Sequence, residues 1–262
     1  MRKWKNIIFG IALSVFLGMT PSVVSHAAEH ADTDVIRNDA TGIPDKTLYA
    51  TLLQQGDQNN GNSDGILTVE EAKKITYVSL NDYSQSKVSD FTGLAEYCPN
   101  VSMLEWHANQ QPEEGVRTSF YNEYKKMGNV TNFYITVFSD DDFEDIVSKS
   151  DLRNLSVSYS VNGDFDVSVL GNLQNLRNLS VSTRYSDTTV THLTETLGKL
   201  TNLTYFYISA GNLSVNDSFI PDEIKPQLTN LTISQWEGFR KKQPAWIFPN
   251  ILHWVISISA PV

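Results

Sequence analysis

Positions 1, 4 and 6 of a short phrase are apolar eight times along the chain, with mostly polar residues between them. The phrases are Ile75-Val78-Leu80, Val101-Leu104-Trp106, Val130-Phe133-Ile135, Leu152-Leu155-Val157, Leu176-Leu179-Val181, Leu203-Phe206-Ile208, Leu228-Leu231-Ile233 and Ile251-Trp254-Ile256. Their first positions lie 26, 29, 22, 24, 27, 25 and 23 residues apart. Positions 4 and 6 alternate with polar neighbours, as one face of a strand requires, and position 1 turns inward as the chain enters that strand. A period of roughly 20–29 residues with L-x-x-L-x-L is the leucine-rich-repeat pattern. No single unit can bury its own apolar edge. The pattern therefore predicts an α/β repeat, a leucine-rich-repeat solenoid whose curved, parallel concave sheet has about eight short strands.

The return segments repeat too. Three residues before successive phrases stand Cys98, Met127, Lys149, Leu173, Leu200, Lys225 and Phe248, a second inward slot. One residue before them stand Asn100, Asn129, Asp151, Asn175, Asn202, Gln227 and Asn250, side chains suited to bonding local backbone at a turn into a strand. The same habit creates N-x-S/T triplets such as Asn100-Val101-Ser102, for which the turn reading suffices. The usual asparagine beyond the strand is mostly missing; Ser160, Arg184 and Gly211 hold that position, so the convex side is expected to be irregular.

Ahead of the repeats, residues 43–74 read as a small helical cap. Pro44-Asp45 precedes Leu48, Leu52 and Leu53 at helical spacing, and Thr68 is placed to cap a second helix with Glu70 and Glu71 in its first turn. Residues 28–42 read as a flexible leader, residues 75–262 as the repeat domain, and residues 1–27 as a signal peptide. In the last, Arg2, Lys3 and Lys5 precede an apolar run, and Ser25-His26-Ala27 is a small-x-small cleavage site. Export follows, secreted or at an extracellular surface, with no membrane span once the leader is removed.

Cleavage takes the net charge from −10 to −13, which argues against nucleic acid and against docking on anionic lipid. Cys98, the single cysteine, excludes an intramolecular disulfide and falls in an inward slot, where a thiol acts as a small hydrophobe.

Between the cap helices, Asn60-Gly61-Asn62-Ser63-Asp64-Gly65-Ile66-Leu67-Thr68-Val69-Glu70-Glu71 follows the EF-hand loop. Asn60, Asn62 and Asp64 take positions 1, 3 and 5, Ile66 offers its carbonyl, and Glu71 takes position 12. Calcium is the one cofactor this loop suggests. Asn60 in place of the usual aspartate points to weak binding or to a loop that keeps the shape without the ion.

The signal peptide, Ile43-Pro44-Asp45, the stretch Leu67-Thr68-Val69-Glu70-Glu71-Ala72 and the repeat opening Leu200-Thr201-Asn202-Leu203-Thr204 together resemble the internalin family of listerial and related Firmicute surface proteins. The resemblance covers about 43–262. It implies a curved repeat domain that binds host or surface ligands on its concave face, without catalysis. The variable repeat length departs from the family's regular 22 residues, and no L-P-x-T-G sorting motif is seen, so wall attachment does not carry over.

Catalytic chemistry is scarce. His107, His192 and His253 lack metal-ligand spacing, and no G-x-S-x-G, phosphate loop or H-E-x-x-H is present. Ser139-Asp140-Asp141-Asp142-Phe143-Glu144-Asp145 reads as a solvated helix start capped by Ser139, and Arg240-Lys241-Lys242 as a solvated loop. On the outward strand positions, Tyr77, Glu105, His107, Tyr134, Arg153, Arg177, Tyr205 and Tyr207 form the candidate surface for a protein or glycan partner. The alternatives are a calcium-regulated scaffold acting through the cap loop, and an exported hydrolase hidden in the 108–126 insertion. In the eighth phrase even Leu252 and Val255 are apolar. That edge is expected to be covered by self-association, a partner or a further module, or else by Trp236, Phe239, Trp246 and Phe248 from the preceding loop.

Overall fold

Parallel pairing of one repeat on the next organises the chain. The computed structural model describes residues 31–61, 63–81, 87–211, 213, 219–235 and 253–258; of Asn60, Gln235 and 253–258 only the backbone is described. The signal peptide, Asn62, Leu252 and the four aromatics proposed to seal the last edge lie outside the described residues, as does the side chain of Val255.

The cap helices are α1 (Lys46–Asn60) and α2 (Val69–Lys73). Then follow β1 (Tyr77–Asn81), α3 (Leu94–Tyr97), β2 (Met103–His107), α4 (Glu114–Lys126), β3 (Asn132–Val137) and α5 (Asp141–Val147). The second half holds β4 (Asn154–Tyr159), β5 (Asp164–Asp166), a 3-10 turn at Ser168–Asn172, β6 (Asn178–Thr183), β7 (Thr189–Thr191), α6 (Leu193–Lys199), β8 (Tyr205–Ala210), β9 (Asn230–Gln235) and β10 (His253–Ile258). Eight strands make one sheet in the order β1-β2-β3-β4-β6-β8-β9-β10, and β5 pairs with β7 in a second, two-stranded sheet. Every pairing between these strands is parallel.

The binary pattern dictates which face is inside. In the seven phrases with described side chains all three slots are buried, none more than 7% exposed. The register puts like slots side by side: Val78 against Leu104, Phe133 against Leu155, Leu179 against Phe206. The second inward slot fills as the spacing predicts, with Cys98, Met127, Leu173 and Leu200 buried. Lys149 takes the same slot differently. It is half-buried, its ammonium lies 5.2 Å from the Tyr124 ring centre, and it donates to the Lys125 and Met127 carbonyls.

The amides before each phrase bond across repeats rather than to their own turns. Asn100 donates to Lys73 O, Asn129 to Pro99 O, Asn175 to Ser150 O, Asn202 to Gln174 O and Gln227 to Thr201 O, at 2.6–3.0 Å. The inter-repeat ladder missing after the strands therefore runs in front of them. A different device holds the far side: Thr183, 1% exposed, accepts from the Gly211 amide. Gly211 is required there, since a Cβ would lie 1.8 Å from Ser186 O.

Two further expectations are corrected. The stretch read as a flexible leader is tied down from Asp34: Ile36 is buried, its amide donates to Leu67 O, and Val69 donates to Asp34 O. Ser139 does not cap α5. Asp142, 4% exposed, instead accepts from the Phe138 and Ser139 amides and pairs with Arg117 at 3.0 Å. A short helix start in a crowded return segment gains more from a buried carboxylate that collects three donors than from a half-exposed hydroxyl.

The 108–126 insertion is a packing element. Phe120 of α4 sits 4.2 Å from Trp106 and 5.0 Å from Phe91 between ring centres, and Tyr124 stacks on Phe133 at 4.4 Å. Glu123, also on α4, is buried and accepts from the Ala95 amide. Among the described residues no helix is long and apolar enough to cross a membrane.

Candidate functional site: the open sheet face and the cap loop

Side chains at alternate strand positions point away from the core and, through the parallel register, line up in three rows. The first reads Tyr77, Met103, Asn132, Asn154, Asn178, Tyr205, Asn230 from β1 to β9. The second reads Ser79, Glu105, Tyr134, Ser156, Ser180, Tyr207, Thr232. Asn81 and His107 open the third, which continues through Thr136, Ser158, Ser182, Ser209 and Ser234. From β3 to β9 every one of these positions is Asn, Ser, Thr or Tyr.

Six of the eight candidate residues belong to these rows. Tyr77 and Tyr205 are 43% and 36% exposed; Glu105, His107, Tyr134 and Tyr207 are half-buried. Arg153 and Arg177 stand elsewhere. They fall one position before their strands, where their carbonyls each accept two amides of the next repeat, and their exposed side chains sit at the rim.

At the β1–β2 end the face is a hydrogen-bonded cluster centred on Glu105. Tyr77 OH donates to Glu105 Oε2 at 2.5 Å, and His107 Nε2 lies 3.4 Å from Oε1. His107 Nδ1 is 3.2 Å from Thr136 Oγ1. Burial raises the Glu105 carboxyl, but hydrogen bonds from Tyr77, Ser79 and Asn81 and the nearby imidazole outweigh it, leaving the group below the usual range. Burial lowers His107, only partly offset by Glu105, so the imidazole is neutral at pH 7. The bond to Glu105 holds the Tyr77 phenol above its ordinary value.

The middle of the face is held by side-chain amides. Asn178 Nδ2 donates to Asn154 Oδ1, and Asn154 Nδ2 donates to Asn132 Oδ1. At the ends of β1 and β2, against α1, lies a cavity of about 730 Å³ whose lining includes Thr47, Gln54, Asn81, Trp106, Gln110 and Val116. Asn81 Oδ1 is buried there without a hydrogen-bond partner.

In the cap, Thr68 and Glu71 form a reciprocal capping box on α2, with Glu71 Oε2 accepting from Thr68 N at 2.8 Å. Asp64 Oδ1 accepts from the Ile66 amide, and Ile66 is 42% exposed. Asn60 is the last residue of α1, closed by Gly61 in the left-handed conformation. The structure brings Asp64 and Glu71 together with a third carboxylate that the loop template omits, Asp57. One oxygen from each lies within 4.8 Å of the others. Asp57 is half-buried and its Oδ1 has no hydrogen-bond partner. Burial and then the charges of Asp64 and Glu71 raise its carboxyl above the ordinary value. Three converging carboxylate oxygens, one without a donor, suit a hard divalent cation. The only sequence signal for Asp57 was its place one helical turn before Asn60.

A crystal structure of an internalin C2 from Listeria monocytogenes aligns over 82% of this chain and 94% of that chain, with 16% identity and a TM-score of 0.48. No family model matches the sequence, and no curated protein does. The parallel stacking and the buried phrase slots make the architecture leucine-rich-repeat-like.

Proposed function

We propose that the protein is an exported, non-catalytic recognition protein whose repeats form a solenoid and whose concave face binds a protein or glycan at a cell surface. The observation that carries this reading is the open face itself: three registered rows of side chains, free of aliphatic residues from β3 to β9 and at least partly exposed except at Thr136 and Ser209. Such a face does not serve the core. In the 108–126 segment Glu123 is buried on the Ala95 amide, and Asp142, packed beside it through Arg117, is held by two amides. The test is binding of labelled protein to cell surfaces, wild type against Tyr205→Ala with Tyr207→Ala. The double variant should lose most binding while keeping its melting temperature; undiminished binding would sink the concave-face reading.

A second reading rests on the Asp57–Asp64–Glu71 cluster: a calcium-stabilised cap in which Asp57 supplies the charge that Asn60 lacks. Calorimetric titration with calcium chloride is the direct test. Binding heat that disappears in Asp57→Asn supports it, and no heat in the wild type rejects it.

A further inference from the structure

We propose that the open face is built for a neutral, hydroxyl-rich polysaccharide lying across the strands. This rests on the recognition reading above and narrows it to one ligand class.

Charge comes first. The fifteen row positions from β3 to β9 hold six serines, four asparagines, three tyrosines and two threonines, in a chain of net charge −10 with 19% charged residues. At that composition, fifteen uncharged positions in one contiguous patch are a selective feature. An anionic ligand would find no lysine or arginine in the rows from β3 to β9; Arg153 and Arg177 stand before their strands, and Arg184 stands after β6 with its guanidinium on the Asn109 carbonyl. A basic ligand would find no carboxylate beyond Glu105, whose oxygens are already engaged by Tyr77 and His107.

Hydrogen-bonding capacity comes second. Hydroxyls and side-chain amides each donate and accept, as sugar hydroxyls do. A protein partner calls for other chemistry. Interface cores favour Tyr, Trp, Phe, Met and Arg and are depleted in Ser; the three tyrosines fit either class of ligand, but Trp, Phe, Met and Arg are absent from these positions and serine is the commonest residue. Tyr205, exposed, and Tyr207, half-buried beside it, add rings of the kind that pack against the C–H side of a pyranose.

Geometry comes third. Strands in a sheet are about 4.8 Å apart, so the rows repeat like groups at a fixed pitch comparable to the rise of a sugar in an extended β-linked chain. The Asn132–Asn154–Asn178 ladder holds its amides in place before any ligand arrives, which lowers the entropy lost on binding. Periodic, pre-ordered, uncharged donors and acceptors suit a periodic polymer better than a compact ligand.

The experiment is native affinity electrophoresis of the purified protein in gels containing hydroxyethyl cellulose, galactomannan or a soluble β-1,3-glucan, with dextran sulfate as the charged control. At least one neutral polymer should retard the wild type. Ser180→Lys, in the middle of the face, should weaken that association tenfold or more, and so should Tyr205→Ala with Tyr207→Ala; melting temperatures show that each variant is folded. Retardation by dextran sulfate alone, or equal retardation of wild type and folded variants, overturns the proposal. So does failure of all three neutral polymers. If the face variants nevertheless lose binding to cell surfaces, the recognition reading survives and the ligand is of another class; if wild type binds neither polymer nor cells, both fall.

Discussion

Asp45 joins the cap to the first repeat, and its removal is the sharpest stability test. Oδ1 accepts from the Thr47 and Leu48 amides at 2.9 Å, capping α1; Oδ2 accepts from the Ser89 amide and hydroxyl at 2.8 Å and from the Asp90 amide at 3.3 Å. Asp45→Ala removes both arms. Loss of an N-cap costs about 0.5–2 kcal/mol, and hydrogen bonds to a charged group contribute roughly 1.5–3 kcal/mol each, net of exchange with water. Ser89 is exposed, so water recovers much of the second arm, and about 2–4 kcal/mol is the expected loss. For a chain of this size roughly 2–4 °C accompanies each kcal/mol, so differential scanning calorimetry at pH 7 should show a fall of about 5–15 °C. Asp45→Asn keeps a capping oxygen but turns an NH₂ toward the Ser89 and Asp90 donors, and should lie between the two. Acid supplies an independent check. Burial raises the Asp45 carboxyl, yet the hydrogen bonds outweigh it and leave the folded value below 3.8. Its contribution is thus complete above the unfolded value and fades as pH falls through the folded one, so the gap between wild type and Asp45→Ala should narrow on acidification below 3.8. A melting temperature for Asp45→Ala within 1–2 °C of wild type at pH 7, a shift of about half a kcal/mol or less, would refute the reasoning.

Asp142→Ala strands the Phe138 and Ser139 amides and the Arg117 guanidinium and should cost about 3–5 kcal/mol by urea denaturation, while Asp141→Ala at the exposed neighbour should stay within about 0.5 kcal/mol. If the cap cluster binds calcium, millimolar calcium should raise the melting temperature over chelator by mass action, and Asp57→Asn should erase the difference. Because burial lowers His107 in the folded state, the unfolded chain binds the extra proton; stability should fall as pH drops through about 6.5, and His107→Gln should flatten that limb in pH-dependent melting curves. Cys98 is fully buried with its thiol pushed up to about 12, so iodoacetamide at pH 8 should modify it only at the rate of unfolding.

A parallel repeat turns sequence columns into surface rows, and that explains what could be read in advance. The buried slots were legible because the burial rule is binary and all seven repeats with described side chains obey it, down to Cys98 and Met127 in the return segments. The open face was legible by the same logic, but only by column. Looking for aromatics and arginine along each phrase picked out Tyr205 and Tyr207 but also Arg153 and Arg177, which the ladder places at the rim because position 2 precedes the strand. Read down the repeats, positions 3, 5 and 7 spell Asn, Ser and Ser at β4 and β6, which is the surface chemistry itself. The rest resisted because it depends on distances between columns. Asn100 and Asn202 carry no mark that says their acceptor is a repeat earlier rather than in their own turn. Asp57 joins Asp64 and Glu71 only because α1 returns its last turn over the loop, outside any twelve-residue template. Asp45 shows the same limit on a larger scale, since its partners at Ser89 and Asp90 are 44 and 45 residues away. Buried and outward columns can be read from periodicity, whereas the acceptors of the repeat amides and the ties from the cap to the lattice need coordinates. The two candidate sites divide along that line, the face periodic and the carboxylate cluster not, so a change of ligand could evolve on the face, one column at a time, without disturbing the cap.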